Sequence, residues 1–215
     1  MNRNHMLLAA GAALSIAAQA ATVQVTVLAR DGQPLSNAVV VIEPAGGIRP
    51  AAPTPVQVTI AQEKMQFVPM VSVLPVGSRV SFVNQDAWEH HVRGVPAGVA
   101  SLGSSPAGIE LRLAGKVDGK APASADVTLA TPGALQLGCH LHGSMRGFVY
   151  VTDSPFAVQT DANGVASLRD VPEGAASVRV WHSDQLLEGK PTEVNITPVT
   201  AVSVPTQVTP RRRRL

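Results

Sequence analysis

The sequence predicts an all-β protein built from β-sandwiches, and three observations predict it. Val, Thr, Ala, Gly and Pro dominate the 215 residues, while aromatic residues make up 3% and charged residues 15%. That composition suits strands and turns better than helices. Short apolar or alternating runs recur along the chain with Gly-, Pro-, Asn- and Asp-rich turns between them, the pattern of β-sandwiches. No stretch carries a convincing helical period.

In chain order, residues 22–29 alternate, "RDGQP" turns the chain, and 37–44 form a second strand. A Pro/Gly/Ala-rich linker covers 45–55. Strands are expected at 56–60, 71–74, 79–84, 109–113, 126–130, 134–139 and 147–151, with a long loop over 94–108. After Thr152 the text changes, with tight turns at "DANG" and "PEG", and "EVNITPVTAVSVP" closes the chain.

The N-terminus reads as an export signal over residues 1–20. A short basic segment precedes an apolar run, and Ala18-Gln19-Ala20 has the small-x-small form of a cleavage site. The expected location is therefore the periplasm, and no internal stretch is apolar for long enough to span a bilayer. Arg3 and the tail arginines Arg211–Arg214 account for five of the 17 basic residues. The remaining twelve face fifteen acidic ones, so the folded body is mildly acidic and nucleic-acid binding is not expected. The tail is a local basic patch for weak contact with an acidic partner or anionic lipid.

A single cysteine cannot form an internal disulfide, and an exported thiol must be buried, catalytic or metal-bound. Cys139 lies in "GCHLHGSM" with His142 and Met145 in a Cys-x2-His-x2-Met arrangement. A tight loop between strands brings these side chains to one point. Thiolate and imidazole suit copper, and a trigonal His2Cys set with a long axial Met is an electron-transfer pattern. It needs a second histidine, and "NQDAWEHHV" (84–92) offers His90 or His91. His140 would point to the opposite side from Cys139. A Cys139–His142 nucleophile pair would leave Met145 and the upstream histidine unexplained, so the chain is not expected to be an enzyme.

The stretches "VLPVGSRVSFVNQDAWEHHV" and "LGCHLHGSMRGFVYV" resemble the cupredoxins, above all the amicyanin and pseudoazurin type. The whole chain is similar to plastocyanin-like exported bacterial proteins of the methylamine-utilization kind. The resemblance implies a Greek-key β-sandwich over 56–152 holding one copper ion. It implies His90 and His142 as imidazole ligands, Cys139 as thiolate and Met145 as axial thioether. It also implies single-electron transfer with a periplasmic dehydrogenase or cytochrome, His142 passing the electron. Leu137, Leu141, Phe148 and Trp88 are expected to shield the ion from water.

The segments "TVQVTVLARDGQPLSNAVVVIEP" and "TDANGVASLRDVPEGAASVRVW" resemble two halves of a transthyretin-like or carboxypeptidase-regulatory-like β-sandwich. The expected organisation is a small sandwich from 21–55 and 153–205, with the copper domain inserted in one of its loops and a basic tail over 206–215. His182 is expected to pack beside Trp181.

Overall fold

A computed structural model describes residues 20–47, 51–98 and 108–211; residues 1–19 of the expected export signal, most of the expected 94–108 loop and residues 212–215 lie outside the described residues. The described residues contain sixteen strands and no helix, and no helix long and apolar enough to cross a membrane is present among them.

The strands form four sheets. β1 (Ala20–Leu28) lies between β13 (Val165–Pro172) and β16 (Val199–Pro205). β2 (Val39–Pro44) and β14 (Gly174–Trp181) are the inner strands of a second sheet, flanked by β12 (Ala157–Gln159) and β15 (Thr192–Ile196). The third sheet runs β5 (Val71–Pro75), β11 (Arg146–Thr152), β10 (Gly133–Cys139), β7 (His90–Pro96), β8 (Ile109–Leu113). The fourth runs β4 (Gln66–Val68), β3 (Gln57–Glu63), β6 (Arg79–Asn84), β9 (Ser124–Thr128).

Three hydrophobic clusters stack these sheets in that order. Val23, Val25, Val40, Ile42, Leu168 and Val178 fill the space between the first two sheets. Ile60, Phe67, Phe82, Val92, Leu137, Cys139, Met145 and Val149 fill the space between the last two. Val39, Val41, Val71, Phe148, Tyr150 and Trp181 join the two middle sheets. This stacking explains why "AVVVI" and "GFVYV" are continuous apolar runs rather than alternating ones. Residues 39–42 and 147–152 are buried throughout, because β2 and β11 are covered on both faces.

Two strands depart from the sequence expectation. β7 begins at His90, so His90 and His91 open a strand instead of lying in the turn. Gly94 is the first residue of the loop expected over 94–108, but it lies inside β7. The structure uses it because a Cβ at that position would lie 2.9 Å from the Ile109 side chain on the neighbouring strand. The short β4 also went unforeseen.

His182 follows β14 and is buried; its Nδ1 accepts a hydrogen bond from the Asp184 N–H at 3.1 Å. Burial holds its pKa below the usual imidazole range, against smaller opposing effects of Asp184 and a backbone hydrogen bond to Ser36. Below about pH 6.5, the ordinary imidazole value, the unfolded chain therefore binds more protons than the folded one. Stability is expected to fall as pH drops from 7 to 5. His182→Asn, whose Oδ1 can replace Nδ1 as acceptor, should flatten this dependence in thermal melts; an unchanged slope would assign it elsewhere.

Candidate metal centre

The site is built from one strand start and one hairpin. His90 heads β7 and is completely buried. Cys139 ends β10, paired with Val92, and is 8% exposed. The β10–β11 connection folds tightly, its turn closed by the Met145 N–H donating to the His142 carbonyl at 3.0 Å. The result is a triangle of donors. His90 Nδ1 lies 3.1 Å from His142 Nδ1 and 3.8 Å from Cys139 Sγ, and Cys139 Sγ lies 3.5 Å from His142 Nδ1.

These lengths fit a shared ion. Metal–nitrogen distances of about 2.0 Å and metal–sulfur distances of about 2.3 Å in a trigonal set give edges of about 3.5 Å between nitrogens and about 3.7 Å from nitrogen to sulfur, within a few tenths of an ångström of the three observed here. Among the described residues, His90, Cys139 and His142 are the group of His, Cys, Asp or Glu side chains arranged to hold a metal. Met145 is 2% exposed and packs into the same core as Cys139.

Asp86, which carries no metal-site signal in the sequence, orients His90. Its Oδ2 contacts His90 Nε2 at 2.8 Å, which leaves Nδ1 facing the triangle. The same carboxylate accepts the N–H groups of Lys64 at 2.7 Å and Met65 at 3.0 Å. Those two residues turn β3 into β4 with φ of 51° and 57°. Left-handed backbone costs about 1–2 kcal/mol per non-glycine residue, and the two N–H contacts to Asp86 hold the turn closed. Burial alone would raise the Asp86 pKa, but the Met65 N–H, His90 and the Lys64 N–H outweigh it and bring it below the ordinary carboxylate value. Asn84 braces the other side. Its Nδ2 donates to the carbonyls of Trp88, Leu113 and Ala114, and its Oδ1 accepts the Asp86 N–H. Asp86→Ala is expected to weaken metal binding about 10–100-fold in a chelator competition. Wild-type affinity in that variant would show that His90 needs no carboxylate partner.

His91 and His140 stand apart from the triangle. Their rings meet at a centroid distance of 5.0 Å, His91 Nε2 is 3.6 Å from Glu110, and His140 Nε2 is 3.3 Å from Arg93. His91 still contributes through its backbone, whose N–H donates to Cys139 Sγ at 3.4 Å. Among the expected shielding residues, Leu137 is buried beside Cys139. Phe148 instead faces the cluster joining the middle sheets, because it alternates with the inward Val149. Trp88 and Leu141 are 46% and 51% exposed and sit on the surface.

The adjacent inner strands β10 and β11 joined by Cys-x2-His-x2-Met, the upstream histidine at a strand head, and the two packed sheets define the architecture of residues 57–152. That part of the chain has a cupredoxin-like fold. No family model matches the chain, and no curated protein matches it. Solved structures do. The amicyanin from Paracoccus versutus is 24% identical over 45% of this chain and 81% of its own, with a TM-score of 0.36. The reduced state of an amicyanin mutant is 27% identical over 45% of this chain and 82% of its own, at 0.32. A copper-containing nitrite reductase from Thermus scotoductus is 24% identical over 51% of this chain and 25% of its own, at 0.34.

Proposed function

We propose that this chain is an exported mononuclear copper protein that carries single electrons between periplasmic redox partners, a dehydrogenase or a cytochrome. His90, Cys139 and His142 are the proposed ligands, with Met145 as the axial thioether. The metal-bearing sheets β3–β11 are proposed as a unit inserted in the small sandwich of β1, β2 and β12–β16. Copper held there would supply one-electron chemistry, and thiolate with imidazoles suits both of its oxidation states.

The observation that carries this reading is the unequal exposure of the donors. His90 and Cys139 are buried, whereas His142 is half-buried in the loop beside exposed Leu141. Exposed Met65, Trp88 and Val117 lie on loops tied to the same end through Asp86: the Met65 N–H meets its carboxylate and the Lys116 N–H its carbonyl. His142 thus reaches the surface beside the exposed apolar Leu141, which suits brief, small encounters with a partner. The buried donors sit on paired strands that resist rearrangement, and the His91 N–H on the sulfur tunes its basicity. At the far end of the chain, the Arg211 N–H donates to Asp184 at 3.0 Å, which starts the basic tail at a defined place on the surface.

The test is Cu(II) titration of the mature chain followed by absorption, EPR and voltammetry. An intense visible thiolate–copper band and a reversible one-electron wave are expected. A bound ion with no reversible wave and rapid Cu(I) loss to a chelator would make the protein a copper-delivery module instead.

A further inference from the structure

Gln62 is completely buried, yet neither atom of its carboxamide has a hydrogen-bond partner. Its backbone is in order: it pairs in the β3–β6 ladder, and its carbonyl accepts the Gln85 N–H at 2.8 Å. Leaving a buried polar group open destabilises a fold, and an apolar side chain of similar shape avoids that cost. Packing alone therefore gives no reason for glutamine at this position.

Its place in the fold supplies one. Gln62 lies opposite Phe67 on β4 and beside Asn84 on β6, and all three are buried. Phe67 packs against Gly147, where a Cβ would lie 2.8 Å from the Phe67 Cβ, two residues beyond Met145. Asn84 holds Asp86, and Asp86 holds His90. Two residues after Gln62 begins the Lys64–Met65 turn that Asp86 clamps. Gln62 is thus placed at the metal end of the core, between the Met145–Gly147 strand and the Asn84–Asp86–His90 chain. The other polar side chains of that region are committed. Asn84 Nδ2 serves three carbonyls, and the Asp86 oxygens serve Lys64, Met65 and His90.

We propose that Gln62 belongs to the metal centre, its Oε1 making a polar contact with the bound ion from the core side, directly or through one water. The inference rests on the copper reading above. A carboxamide oxygen is a neutral donor harder than a thioether, so it favours Cu(II) over Cu(I) and lowers the reduction potential.

Gln62→Leu and Gln62→Glu in the full mature chain test this, with Cu(II) as the probe. In Gln62→Leu the metal-free melting temperature should equal or exceed that of the wild type. The rise on copper loading should shrink by half or more, and the potential should move up. Gln62→Glu should move the potential down. With 17O-labelled water, an EPR-detected coupling that Gln62→Leu removes identifies the water bridge, and a potential shift without it identifies direct contact. Equal stabilisation of both forms by Gln62→Leu, with spectrum and potential unchanged, overturns the proposal and leaves Gln62 a core residue. Should Gln62→Leu fail to fold, an unmoved potential in Gln62→Glu overturns it equally. A wild-type chain that takes up no copper defeats the metal-centre reading itself, whereas normal wild-type loading with inert Gln62 variants defeats only the role of Gln62.

Discussion

Cys139→Ala is expected to abolish the visible absorption of the copper-loaded chain and to lower Cu(II) affinity by more than about a hundredfold. Loss of an outer-shell partner typically costs about 10–100-fold, and Cys139 is the one thiolate available. The two imidazoles 3.1 Å apart would remain and retain weak binding. The apo protein should change little, by about 1 kcal/mol, the usual scale for a single substitution, because a small side chain replaces a small one. The substitution also leaves the His91 N–H without its sulfur acceptor, a modest part of that change. Spectrophotometric titration with a competing chelator reads the affinity, and a melt of the metal-free chain reads the stability. An intense band surviving in Cys139→Ala would remove sulfur from the site and with it the electron-carrier reading.

Trp181→Ala should have the largest effect on stability. Trp181 is buried at the join of the middle sheets, with ring centroids 5.8 Å from Phe148 and 5.7 Å from Tyr150. Truncating such a side chain costs about 3–5 kcal/mol, part of it the aromatic pairing worth about 0.5–1.5 kcal/mol. In a chain of this size that lowers the melting temperature by roughly 6–20 °C. The donor triangle should be untouched, because Phe148 and Tyr150 face the join while Val149 and Val151 face the metal-bearing core. Copper titration of the folded variant below its transition should match the wild type. A parallel loss of affinity would show that the join shapes the site.

Much of the fold was legible because both strand signals are local. Alternation marks a strand with one covered face, and runs such as 39–42 and 147–151 mark strands covered on two. The ligand hairpin was legible for the same reason: Cys139, His142 and Met145 are close in the chain, and a tight turn brings neighbours together whatever else the fold does. β7 was not, since Gly94 looks like a breaker until Ile109 is seen pressing against it.

The sequence by itself determined an all-β chain, a lone thiol beside an imidazole and a thioether, and the need for one more histidine from elsewhere. Only the tertiary structure decided which histidine faces that thiol. His90 and His91 are adjacent, and in a pleated strand adjacent side chains point to opposite faces, so the choice depends on register against β8 and β10. Tertiary contact likewise singled out Asp86 and Gln62. A carboxylate that closes a turn 21 residues away and a buried amide without a partner have no local sign, since both are defined by what the folded chain places around them.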